Sequence, residues 1–121
     1  MNDSSDEAEL ARLFGADMRR GIAELARRGY DATLFRRMIG EHGPVEAARR
    51  LVLDPAPSYG LWRLQQLGRL DMSVEMWVLL PDYEPLFSME VREQAERKLR
   101  ALRVDVDTEI GRLVRSRAGQ R

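Results

Sequence analysis

The run Gly68-Arg69-Leu70-Asp71-Met72-Ser73-Val74-Glu75-Met76-Trp77-Val78-Leu79-Leu80-Pro81 decides the fold. It is the most apolar stretch of the chain and it lies between two turn signals. Gly68 suits the left-handed end of a preceding helix. Asp71 then offers a carboxylate to the free amide hydrogens of a new first turn. Glu75 follows early enough to favour the positive end of the helix dipole. Met72, Met76, Leu79 and Leu80 fall on one stripe at helical spacing, flanked by Val74, Trp77 and Val78. A helix apolar nearly all round is a central one, so Trp77 is expected to be buried. Pro81 stops it. A strand over 74–80 is the competing reading, and the boundary residues favour helix.

Working outward, every other segment reads as helix or turn. Ser4 with Glu7 matches a capping box, after a disordered lead over residues 1–5. The first helix places Leu10, Leu13, Phe14, Met18, Ile22 and Leu25 on one face and ends at Gly29. Gly15 and Gly21 inside it are expected sites of close helix approach. Asp31 is the expected cap of a second helix carrying Leu34, Phe35, Met38 and Ile39. Pro44 suits the first position of a third, where its missing amide hydrogen costs nothing. Asp54-Pro55-Ala56-Pro57-Ser58 is a loop. Leu61, Trp62, Leu64 and Leu67 belong to a fourth helix. Pro81 to Pro85 make a second rigid turn, with Leu86-Phe87 as an apolar plug.

Ser88 caps the last helical segment. Its apolar residues Val91, Ala95, Leu99, Leu102, Val106, Ile110 and Leu113 advance by threes and fours, which permits one straight helix to about Arg115. A break at Val104-Asp105, with Asp105 or Asp107 capping a new helix, is the alternative. The expected fold is all-α: a compact bundle of five or six helices, long at both ends. The single domain covers 6–115 and a polar tail 116–121.

The 121 residues include no cysteine and equal numbers of acidic and basic side chains. Disulfides and thiolate zinc sites are thereby excluded. A net charge of zero gives no global pull towards nucleic acid or an acidic membrane. No apolar run approaches the ~20 residues of a spanning helix. The acidic N-terminus is the reverse of a signal peptide. A cytoplasmic location is expected. Lys98 is the only lysine, a bias read as genomic base composition.

Residues Tyr30, Phe35, Met38, Glu41, Gly43, Ala47 and Leu51, with Gly60, Leu64, Gly68-Arg69-Leu70-Asp71, Ser73, Glu75, Val78-Leu79 and Leu86-Phe87, form a pattern. It resembles an uncharacterised family of small all-helical bacterial domains with a Gly-Arg-Leu-Asp-x-Ser-x-Glu core motif. The resemblance covers about Gly29 to Leu102. It departs at Ala32, where proline is frequent in that family, which leaves the start of the second helix open. It implies a compact helical fold and transfers no catalytic residue.

Candidate chemistry is sparse. His42 is the only histidine. A general base there would want Glu41 or Asp71 to orient it, and Ser58 or Ser73 as nucleophile. Neither serine lies in a strand-turn-helix elbow, and a turn histidine is the plainer reading. One histidine and no cysteine cannot make an ordinary zinc site. No metal and no cofactor are expected, and the chain is read as not an enzyme. Asp71 and Glu75, four apart, would share a helix face and repel unless a cation such as an arginine relieves them. A carboxylate pair is one reading, and a cap plus a buried ion pair the plainer one. They are the expected carboxylates of perturbed pKa.

Arginine doublets recur at 19–20, 27–28, 36–37 and 49–50. Asp17, Glu24 and Glu46 stand three or four residues before Arg20, Arg27-Arg28 and Arg49-Arg50. Surface pairs in this order contribute only ~0.3–0.5 kcal/mol each. Arg36 and Arg37 have only the cap residue upstream and are the least compensated. Charge is also blocked along the chain: 1–17 and 81–96 negative, 18–37 and 97–121 positive. Such blocks suit antiparallel helices, or a second copy, matching plus to minus.

Tyr59 and Tyr83, in or beside the proline turns, are expected at the surface, more so than Trp62 and Trp77. Glu93 and Glu96 lie on the outer face of the last helix. The expected function is a non-enzymatic protein-interaction or accessory module of the bacterial cytosol. Its surface is Arg36, Arg37, Tyr59, Tyr83, Glu93 and Glu96, and its partner an unidentified protein, with self-association left open. The alternative is a nucleic-acid-associated regulator using the arginine doublets of 19–50. No membrane partner is expected.

Overall fold

A computed structural model describes residues 3–55 and 59–119, and the side chains of all of these except 3–5 and 59. It is all-α, with no strand among the described residues. Seven α-helices run α1 (Asp3–Arg27), α2 (Thr33–His42), α3 (Pro44–Leu53), α4 (Tyr59–Gln66), α5 (Val74–Val78), α6 (Met89–Ala101) and α7 (Val106–Gly119). Two 3-10 helices, Leu70–Met72 and Pro81–Leu86, join them. The expected count of five or six is too low, because two apolar segments divide. The long first helix is as expected. It begins at Asp3, so Ser4 stands inside it and not at its cap. Of the expected lead, residues 1 and 2 lie outside the described residues, and the backbone of 3–5 forms the first turn of α1.

The central segment is buried as expected but is built differently. Its α-helical part is only five residues long, and its cap is Ser73, whose Oγ accepts from the Met76 amide at 3.1 Å. Asp71 does not cap it. The Arg69 guanidinium takes the Asp71 carboxylate at 3.1 and 3.2 Å, and the Trp77 indole N–H donates to the Asp71 carbonyl at 2.9 Å. With both groups engaged, residues 70–72 close as a 3-10 turn and α5 starts one turn later. Asp31 likewise gives its carboxylate to Arg36, at 2.9 Å, and α2 starts behind Ala32 with no side-chain cap.

Helix ends follow local chemistry. Gly29 and Gly68 take positive φ, and the next amide reaches back to close each helix, Tyr30 to the Leu25 carbonyl at 2.9 Å and Arg69 to that of Leu64 at 2.8 Å. Arg103 does the same at φ 64°, with Val104 donating to the Leu99 carbonyl at 3.2 Å. That turn ends α6, and Asp105 caps α7 by accepting from the Thr108 amide at 3.2 Å. Residues 89–115 are therefore two helices. The expected tail continues α7 to Gly119.

Phe14, Ala47, Ala48, Val52, Met76, Val78, Leu80, Ala95 and Leu99 fill the core without exposed surface. α3 lies against α1, α2, α5 and α6, and α5 against α6. A Cβ on Gly15 would stand 2.9 Å from Pro44 Cγ, so α1 and α3 do approach closely there. Phe14 meets Tyr83 and Phe87 edge-on, at 5.1 and 5.2 Å between centroids. Leu13, expected on the inner face, is exposed beside it.

Candidate functional site

A groove of about 910 Å³ opens between the C-terminal half of α1, the start of α2, α4 and α5. Its walls are mostly apolar, with Leu25, Phe35, Leu61, Leu64 and Val74 among them, and charged residues such as Glu24, Arg27, Asp31 and Asp54 line it too. Leu34 stands at its rim with 61% of its surface exposed. Clefts of this size, apolar with a few convergent polar groups, are where proteins bind.

Two of the polar groups facing the groove are Glu75 and Lys98. Glu75 projects from α5, on the buried side of the central segment, and only 2% of it is exposed. Its Oε2 is buried and accepts no hydrogen bond from the described residues. The Lys98 ammonium, from α6, stands 3.8 Å from that oxygen, an ion pair too long for a hydrogen bond. Lys98 is itself held by donating to the Leu51 carbonyl at 3.2 Å. Burial pushes the Glu75 carboxyl above its ordinary value, and its own backbone amide and Lys98 draw it back only in part.

Asp71 and Glu75 form no carboxylate pair. Glu75 makes the buried ion pair of the plainer reading, while the cap is Ser73 and not Asp71. Asp71 is held by Arg69 at the surface of the segment, while Glu75 turns inward to Lys98. In sequence Lys98 reads as a matter of base composition. Its signal is position: the lone lysine directly precedes Leu99 on the stripe of Val91, Ala95 and Leu99, so it flanks the buried face of its helix.

A second polar cluster joins the chain's ends. Asp17 is buried, accepts from the Tyr83 hydroxyl and from Arg20, and lies 3.4 Å from Arg117. Arg117 also reaches Asp82 at 3.4 Å and covers the Trp77 ring at 4.8 Å from its centroid. Burial first, and then Asp17, push the Tyr83 phenol up to about 12. Tyr83 is 2% exposed, which corrects its assignment to the surface: its turn folds inward because Asp17 and Phe14 receive the ring. Trp77 is only partly buried: Tyr83 stacks on its ring at 6.4 Å between centroids, and the Arg117 guanidinium lies over it. Trp62 is the exposed tryptophan, at 47%. The Tyr59 side chain and all of Ser58 lie outside the described residues.

His42 is exposed at the end of α2, its Nε2 3.6 Å from Glu41 and 3.4 Å from Arg50. Among the described residues no cluster of three or more His, Cys, Asp or Glu side chains could hold a metal ion. The arginine doublets are mostly neutralised. Arg20, Arg27, Arg28, Arg36, Arg49 and Arg50 each pair with a carboxylate. Arg37 is exposed and makes no such pair among the described residues. Glu93 is exposed as expected, and Glu96 accepts from Arg100 at 2.6 Å. Among the described residues no helix is long and apolar enough to cross a membrane.

No protein-family model matches this chain, and no curated protein or solved structure matches it either. The resemblance carried by the Gly-Arg-Leu-Asp-x-Ser-x-Glu run is therefore not confirmed. What stands is a small all-helical domain.

Proposed function

We propose that this chain is a non-enzymatic interaction module whose partner, a protein, seats apolar side chains in the groove of α1, α2, α4 and α5. The observation that carries this is the groove itself: a mostly apolar cleft of about 910 Å³ with Leu34 held out at its rim. An exposed leucine beside an open apolar cleft is surface that association would remove from water. The paired state of the doublets leaves little free positive charge for a phosphate backbone, so a nucleic-acid role ranks second.

Leu34→Asp tests the proposal. An exposed position of this kind tolerates substitution within about ±0.5 kcal/mol, so the variant should fold as the parent does. It should lose any protein that the parent retains from host extract. Arg37→Glu, on the same helix and outside the groove, should keep it. Retention by Leu34→Asp and loss by Arg37→Glu would move the interaction off the groove.

A further inference from the structure

The stripe Val91, Ala95, Leu99, Leu102, Val106, Ile110 and Leu113 keeps helical step across the break between α6 and α7. Two helices parted by a turn have no need of a shared phase. One straight helix has, because only then do these side chains all face one side. The turn is also composed as helix. Leu102, Arg103 and Val104 include no glycine, unlike the turns at Gly29, Gly43 and Gly68. Arg103 is the only residue other than glycine at positive φ among the described residues, at 64°. A helical Arg103 would be free of that strain. Of the other helices α7 packs mainly on α6, and its Ile110 and Leu113 are only partly covered.

We propose that two copies of this chain exchange α7. In the dimer, α6 and α7 join through 102–105 into one helix, and the α7 part seats on the second copy where that copy's own α7 otherwise lies. The contacts of α7 with the body then re-form between copies, including Arg117 with Asp17, Asp82 and Trp77. The exchange is self-complementary, so it closes at two copies. Strain at Arg103 is relieved in both. Against this stand the ties of the closed turn: Asp105 accepts from the Thr108 amide at 3.2 Å, and Gln65 donates to the Leu102 carbonyl at 3.0 Å. Joining two chains also costs entropy, so the dimer builds with concentration. The groove takes no residue from α7. The dimer therefore carries two open grooves on one frame, which suits a partner with two binding segments.

Sedimentation of the full chain, from micromolar to millimolar concentration, should show a dimer that grows with concentration. Arg103→Gly eases the closed turn and weakens a straight helix in both copies, so it should raise the dissociation constant roughly a hundredfold. Asp105→Ala removes the cap of α7 in both copies and should lower it roughly tenfold. Both positions are exposed, so the variants should fold. In the dimer, backbone carbon shifts of 102–105 should be helical throughout. A mixture of carbon-13-labelled and unlabelled copies, unfolded and refolded together, should show Overhauser contacts between Arg117 of one copy and Trp77 of the other.

A monomer at every concentration, in the parent and in Asp105→Ala alike, would overturn the exchange. So would a dimer in which Arg103 stays left-handed, or one indifferent to Arg103→Gly, since its copies would then meet without opening the turn. A dimer that Leu34→Asp abolishes would be held at the groove and would overturn it equally.

Discussion

Glu75 is a carboxylate placed where a carboxylate is costly, and its protonation should show in the stability of the fold. Its folded value is raised, mainly by burial, from an unfolded value of 4.5. Between those two values the native state holds a proton that the unfolded state has lost. The stability from this group is therefore complete below 4.5 and is lost as pH rises through the folded value. Urea midpoints measured from acid to neutral pH should fall for the parent relative to Glu75→Gln, which has no such proton to lose. Parallel curves would show that the carboxyl titrates alike in both states. Arg103 is a second residue at odds with its place. It holds φ 64° without being glycine, in a turn that Gly29 and Gly68 make elsewhere in the chain. The left-handed conformation costs an ordinary residue ~1–2 kcal/mol, offset in part by the extra freedom glycine has when unfolded. Arg103→Gly should raise stability by about 0.5–1 kcal/mol, seen as a higher thermal midpoint. A lower midpoint would mean that the arginine side chain contributes more than its backbone costs.

Among the elements, glycine positions that look equivalent in sequence should behave in opposite ways. Gly15 and Gly40 both lie inside helices, where alanine is ordinarily better by up to about 1 kcal/mol. A Cβ at Gly40 meets nothing within 4 Å, so Gly40→Ala should be neutral or stabilising. At Gly15 it would meet the Pro44 ring at 2.9 Å, and the ring cannot swing aside. Gly15→Ala should destabilise by about 1–3 kcal/mol through forced separation of α1 from α3. Equilibrium unfolding of the two variants checks this; a stable Gly15→Ala would mean that the helices part at little cost. The close approach at Gly15 was legible, because a glycine on a helix carrying an apolar stripe suggests it, but the same reading fails at Gly21, where a Cβ would only touch the Met72 methyl at 3.8 Å. The helix locations were legible too, and rest on local periodicity and on stops such as Gly29, Gly68 and Pro81. The inner division of 68–81 was not. Asp71 and Ser73 are both sound caps, and the choice falls to Ser73 because Arg69 and Trp77 engage the aspartate first. The break after Ala101 was readable only as one of two options, since the apolar stripe continues across it in step.

At the scale of the molecule, the groove and the Asp17 cluster share one property: their members come from segments far apart in the chain. Leu25, Phe35, Leu64, Glu75 and Lys98 have no common spacing, so no pattern search brings them together. Arg117 shows the same gap between sequence and fold. In a polar C-terminal run it reads as solvated, yet it closes the chain end onto the body through Asp17, Asp82 and Trp77. Part of the segregated charge is met within one molecule, Arg117 of the positive last block reaching Asp17 of the first and Asp82 of 81–96. This makes α7 dependent on few contacts. Its Val106 is buried, while Ile110 and Leu113 are only partly covered, and of the other helices it packs mainly on α6. A helix held in this way should open as a unit before the core does. Arg117→Ala removes the guanidinium from Trp77 and from both aspartates. Native-state hydrogen exchange should then quicken along α7, while the amides of α3 and α6 keep their protection. Asp17 retains the Tyr83 hydroxyl and Arg20, so α1 should stay in place. Faster exchange across α3 and α6 as well would show that α7 and the core form one cooperative unit, with Arg117 holding the whole fold. Unchanged exchange in α7 would show that Val106 and its apolar neighbours hold the helix without the guanidinium.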